Sequence, residues 1–117
     1  MKVYWTKFAL NTLREIFEYY KNNVSVSIAN NIKESIFMSV KQLEIYPLSG
    51  TIENSLQTMN EGHRYIIRGS YKIIYKIESK RIYITDVFDM RQNPAKIYRN
   101  TNSDTTLNEP NNLTYRK

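Results

Sequence analysis

A chain of 117 residues has room for one ordinary domain and too little for two, and at this length it buries enough surface to hold a core without covalent staples. It contains no cysteine, which excludes disulfides, zinc–thiolate sites and cysteine nucleophiles together. The formal net charge is +6, and residues 62–99 hold the whole excess with nine basic and three acidic side chains, while residues 1–61 and 100–117 each balance to zero.

A field so localised attracts nucleic acid, ribosomal RNA or an acidic protein; the plain alternative is a solvated basic face. The opening "MKVYWTKFAL" has no long apolar region, and no apolar run reaches membrane-spanning length. The expectation is a cytoplasmic protein without a signal peptide.

In chain order, "KVYW" at 2–5 alternates Val3 and Trp5 against Lys2 and Tyr4, the pattern of a short first strand. Thr6 then caps a helix over about 7–22, whose apolar stripe is Ala9, Leu13, Ile16, Phe17 and Tyr20. After the short break "KNNVS", Ser25 or Ser27 caps a second helix over about 26–46, with Ala29, Ile32, Ile36, Val40 and Leu43 on one side. Pro47 stops it, because the residue before a proline is steered away from helix. So short a break predicts an antiparallel helix hairpin, and its apolar stripes need a sheet to cover.

Residues 48–61 read as a loop. Three strands follow: "RYIIR" within 63–68, "YKIIYKIE" at 71–78 and "RIYITDVF" at 81–88. Gly69-Ser70 and Ser79-Lys80 are the two-residue turns between them. The last strand is apolar on both faces, as a central strand should be. Alternation puts Tyr71, Ile73, Tyr75 and Ile77 toward the helices, and the reading sets Arg64, Arg68, Lys72 and Lys76 together on the opposite face. The fold class is α+β, in the order β-α-α-β-β-β: an N-terminal strand, a helix hairpin, and a three-stranded antiparallel meander completing a small mixed or antiparallel sheet. Residues 1–99 form the domain. Residues 100–117, rich in Asn and Thr, form a polar tail that is mobile unless Leu107, Leu113 and Tyr115 dock it.

Common enzyme signatures are missing: there is no Gly-rich phosphate loop, no GxSxG and no paired histidine. Asp86 and Asp89 read as structural carboxylates and not as a metal site. No metal and no cofactor is expected. One reaction stays open. RNA is cut without metal when its own 2′-hydroxyl attacks the phosphorus, given a proton acceptor, cations around the phosphate and a proton donor. Arg64, Arg68, Lys72 and Arg91 are candidates for the cations, and Asp89, Tyr98 or His63 for proton transfer. Each has a structural alternative: Arg91 pairing with Asp86 or Asp89, Lys72 guarding a strand, Tyr98 packing its ring, His63 lying at a surface turn.

Val3 to Tyr98 as a whole resembles the RelE/ParE superfamily of bacterial toxins. The cues are "VYWTKFALNTLREIFEYY", "IANNIKESIFMSVKQLEIYPLSG", "RYIIRGSYKIIYKI" and "RIYITDVFDMRQNP", with Leu43, Pro47 and Gly50 in Leu-x-x-x-Pro-x-x-Gly spacing. The resemblance implies the toxin of a type II toxin–antitoxin, plasmid-stabilising module, with a small antitoxin as partner. RelE-like members are ribosome-dependent mRNA endonucleases; ParE-like members block DNA gyrase and cut nothing themselves. The RelE-like pattern is matched at Arg64, Arg68, Lys72, Arg91 and Tyr98. The chain departs from it at Asp89 and Met90, where RelE-like members carry His or Lys followed by Arg. The departure leaves the acid–base set incomplete and favours gyrase inhibition, with Arg64, Arg68, Lys72, Lys76 and Arg91 as target contacts. The other readings are the endoribonuclease, using Arg64, Lys72, Arg91 and Tyr98, and a basic interaction module without toxicity.

Overall fold

The computed structural model describes residues 1–53 and 62–91. The elements run β1 (Lys2–Trp5), α1 (Lys7–Asn23), α2 (Val26–Gln42), β2 (Thr51–Ile52), β3 (Arg64–Arg68), β4 (Tyr71–Glu78) and β5 (Arg81–Asp89). One sheet contains all five strands in the order β1-β5-β4-β3-β2. β1 lies parallel to β5 and the other pairs are antiparallel, so the sheet is mixed and β5 is interior, as its two apolar faces require. The expected boundary at 99/100, the tail and Tyr98 fall outside the described residues.

The Thr6 hydroxyl joins two elements. It accepts from the Ala9 amide at 3.1 Å, capping α1, and donates to the Ile84 carbonyl at 3.0 Å, fixing α1 against β5. Ser25 caps α2 by accepting from the Ile28 amide at 3.0 Å. α2 ends at Gln42, four residues before the expected stop. From there Leu43, Glu44 and Ile45 bond to carbonyls three residues back, which tightens the chain out of the α-helical path before Pro47 is reached. β2 was not expected. It is two residues long, and so short a segment carries no alternation to read.

The core lies between the helix hairpin and one face of the sheet. Trp5, Ile36, Val40, Leu43, Ile73, Tyr75, Ile82 and Ile84 are all essentially inaccessible there. Ala9, Leu13, Ile16 and Tyr20 of α1 and Ile32, Ile36, Val40 and Leu43 join this core as expected, while Phe17 lies instead under the Lys33 ammonium of α2, 4.8 Å from its ring centroid. A second, smaller apolar group, Ile74 and Phe88 with Tyr65, packs on the far face. Gly69 turns with φ +61°, the left-handed conformation expected at the first position of its hairpin turn. Ser79 and Lys80 both take positive φ, 54° and 63°, without glycine's freedom.

Candidate functional site

The basic residues do not share one face. Across the β3–β4 hairpin Arg64 lies opposite Tyr75, Ile66 opposite Ile73 and Arg68 opposite Tyr71. Directly opposed residues project to the same side of a sheet. Tyr71, Ile73 and Tyr75 face the helices, so Arg64 and Arg68 project on the helix side, at the strand beyond most of the helical cover. Lys72 and Lys76 project to the other side. The expected four-cation surface is therefore split by the pairing register itself.

Arg64 is held by the turn after α2. Its Nη1 donates to the Gly50 carbonyl at 2.8 Å and to the Leu48 carbonyl at 3.4 Å. The Tyr75 hydroxyl works on the same turn: it donates to the Pro47 carbonyl at 2.7 Å and accepts from the Gly50 amide at 2.9 Å. A Cβ on Gly50 would lie 2.5 Å from that hydroxyl, so the position admits only glycine without rearrangement. Leu43 enters the core beneath. The Leu-x-x-x-Pro-x-x-Gly spacing is thus explained by one buried phenol and one guanidinium that organise a turn. Burial raises the pKa of Tyr75 above its usual value.

On the far face Lys72 pairs with Glu53 at 2.6 Å, and both side chains are largely withdrawn from water. Its ammonium also sits 4.2 Å from the Tyr65 ring centroid and 6.0 Å from that of Phe88. His63 is buried, contrary to its expected place at a surface turn; its carbonyl accepts from the Glu53 amide at 2.8 Å, which extends the edge pairing and draws the residue in. Lys76 lies 3.6 Å from Glu78. Arg81, not singled out in the sequence, stacks over the Tyr4 ring at 5.4 Å beside Tyr83, whose hydroxyl raises the guanidinium's proton affinity.

Arg91 occupies a third location, at the end of β5. Its Nε donates to Asp89 at 2.8 Å, its Nη2 reaches the other carboxylate oxygen, and that same nitrogen donates to the Tyr20 hydroxyl of α1 at 3.1 Å. The pairing with Asp89 expected as the structural alternative is therefore present. Asp89 holds Arg91 firmly protonated, with Tyr20 adding to the effect. Tyr20 also accepts from Tyr71. These two donors, Tyr71 first, lower the Tyr20 pKa below its ordinary value of 10.0. Tyr71 moves the other way, chiefly by burial and then because its proton is committed to Tyr20. The Tyr20–Tyr71–Arg91 link has no local sequence signal: Tyr20 reads as one more member of an apolar stripe. Among the described residues no three His, Asp or Glu side chains gather to hold a metal.

A family model described as the ParE toxin of the type II toxin–antitoxin system, parDE, matches residues 3–94. The chain belongs to this ParE toxin family. Among solved structures it is similar to the chromosomal ParDE TA system from P. aeruginosa, with a TM-score of 0.63 and 22% identity over 76% of this chain and 95% of that one. At that identity the likeness concerns the fold. No curated protein matches the chain. The chain is accordingly a type II toxin, in the superfamily its sequence resembles and on the ParE side of it. Within the described part of this ParE-family fold, no helix is long and apolar enough to cross a membrane.

Proposed function

We propose that this toxin acts as a ParE-like inhibitor of DNA gyrase, cuts no nucleic acid itself, and is neutralised by a cognate antitoxin. The observation that carries the reading is the separation of Arg64, Lys72 and Arg91. A metal-free ribonuclease needs its cations to converge on one phosphate, because stabilisation of the transition state depends on donors aimed at a single developing charge. Here Arg64 serves two turn carbonyls, Lys72 serves Glu53 on the far face, and Arg91 serves Asp89 and Tyr20. Inhibition by binding has no such requirement. Basic groups spread over two faces and an edge suit an extended protein or protein–DNA surface, with Arg68 and Lys76 among the contacts. The antitoxin follows from membership of a toxin–antitoxin family and from the ParDE system to which the fold is similar.

The test is a supercoiling assay with purified gyrase and relaxed plasmid. Rising concentrations of the toxin are expected to stop supercoiling, and prior addition of the antitoxin to restore it. Supercoiling that proceeds at a large molar excess of folded toxin would overturn the reading.

A further inference from the structure

The turn from α2 into β2 carries an apolar surface that stays in water. Ile45 is 71% exposed, Tyr46 and Leu48 are each 65% exposed, and Ile52 is 47% exposed. Apolar side chains scattered singly over a surface carry no meaning, but these four within eight residues form a patch. Strand register extends it. Ile52 lies directly opposite Arg64, so both project on the helix side of the sheet. The Leu48 carbonyl accepts from Arg64, which ties the turn to the same strand. The patch is also preformed, because Tyr75 and Arg64 hold the turn's backbone at Pro47, Leu48 and Gly50. A surface that is already ordered loses little entropy on binding.

Two cations border the patch. Among the described residues Arg64 commits only Nη1, to the turn carbonyls. Arg68, at the other end of β3 and on the same side, is exposed and forms no hydrogen bond or ion pair among the described residues. The residues that β2 and β3 present on this side are Ile52, Arg64, Ile66 and Arg68, so neither strand sets a carboxylate against the cations there. The turn's one acidic residue, Glu44, is half-buried and has an interaction of its own. An apolar centre edged by arginines is complementary to a partner that is both apolar and acidic. A second copy of the chain is not: a two-fold contact would set the same arginines against each other. Nucleic acid would satisfy the arginines through its phosphates and leave the apolar centre without a partner.

We propose that this patch docks an acidic, apolar-faced segment of the antitoxin, with its apolar side chains on Tyr46, Leu48 and Ile52 and its carboxylates on Arg64 and Arg68. The proposal rests on neutralisation by an antitoxin and adds where that partner sits. It also gives neutralisation a physical route, because the docked segment covers Arg68, one of the contacts assigned to the gyrase surface. Calorimetric titration of the purified full-length toxin with its antitoxin reads the affinity. Leu48→Glu and Arg68→Glu, both at exposed positions, should each weaken it at least about tenfold while leaving the thermal midpoint of the free toxin unchanged. Leu48→Lys should weaken it less than Leu48→Glu, because an ammonium suits an acidic segment and a carboxylate repels it. Arg14→Glu, the same charge change at an exposed position of α1, should bind as the wild type does. Unchanged affinity in Leu48→Glu or Arg68→Glu, a greater loss in Leu48→Lys than in Leu48→Glu, or an equal loss in Arg14→Glu would each overturn the docking surface and leave the antitoxin reading standing. An antitoxin that does not bind even the wild-type chain would overturn both.

Discussion

One phenol, Tyr75, carries the turn between α2 and β2, and its removal is the most local test of the fold. Tyr75→Phe leaves the Gly50 amide and the Pro47 carbonyl without that partner, at a cost of about 1–3 kcal/mol in urea unfolding. Gly50→Ala forces the same hydroxyl and the Tyr65 carbonyl aside and should cost at least as much. The spacing of Leu43, Pro47 and Gly50 was legible in the sequence, but its cause was not, because the explaining hydroxyl comes 25 residues after Gly50. Tyr20, Tyr71 and Tyr75 also predict an alkaline response. Burial raises Tyr71 and Tyr75, so the folded chain keeps protons that the unfolded chain releases near pH 10.0. Their contribution is complete below that pH and is lost as the pH climbs toward their folded values. Tyr20 has the opposite sign: its lowered pKa contributes stability that is present above pH 10.0 and is lost as pH falls through its folded value. With two groups against one, stability should decline above pH 10.0. In an ultraviolet titration of the folded chain, Tyr20→Phe should delete a phenolate that forms below pH 10.0.

At the scale of elements, the β3–β4 hairpin decides where the cations go. Its two-residue turn sets Arg68 against Tyr71 and thereby Arg64 against Tyr75. This was within reach of the sequence. Once Gly69-Ser70 is the turn and Tyr71 faces the helices, Arg68 must face them as well. Reading each strand's alternation separately loses that constraint, which lives in the pairing. The helix hairpin and the interior strand β5 were legible because long periodic segments report their own burial. The end of α2 was not, since Pro47 marks the latest possible stop and the turn begins at Leu43. The β4–β5 turn supplies its own prediction. Lys80 holds φ 63°, a conformation that costs a side-chain-bearing residue about 1 kcal/mol or more. Lys80→Gly should therefore raise the thermal midpoint, and an unchanged or lower midpoint would count against the turn geometry.

For the whole molecule, the positive excess of residues 62–99 is real in the sequence but does not become one patch. Arg64 and Arg68 lie on the helix side, Lys72 and Lys76 on the far face, and Arg91 at the end of β5 against α1. Long-range attraction to a negatively charged target survives such a distribution, because a field sums over the surface. Concerted chemistry at one phosphate does not. Composition could report the total charge and the ParE-family pattern could report the partner class, but only strand register separates these two consequences. The most direct measurement is primer extension on a message translated by purified ribosomes, with the toxin at the concentration that stops gyrase. The account predicts full-length extension products and no codon-linked cuts. Toxin-dependent 5′ ends at defined codons would contradict it, because they would require the dispersed cations to meet on one RNA phosphate.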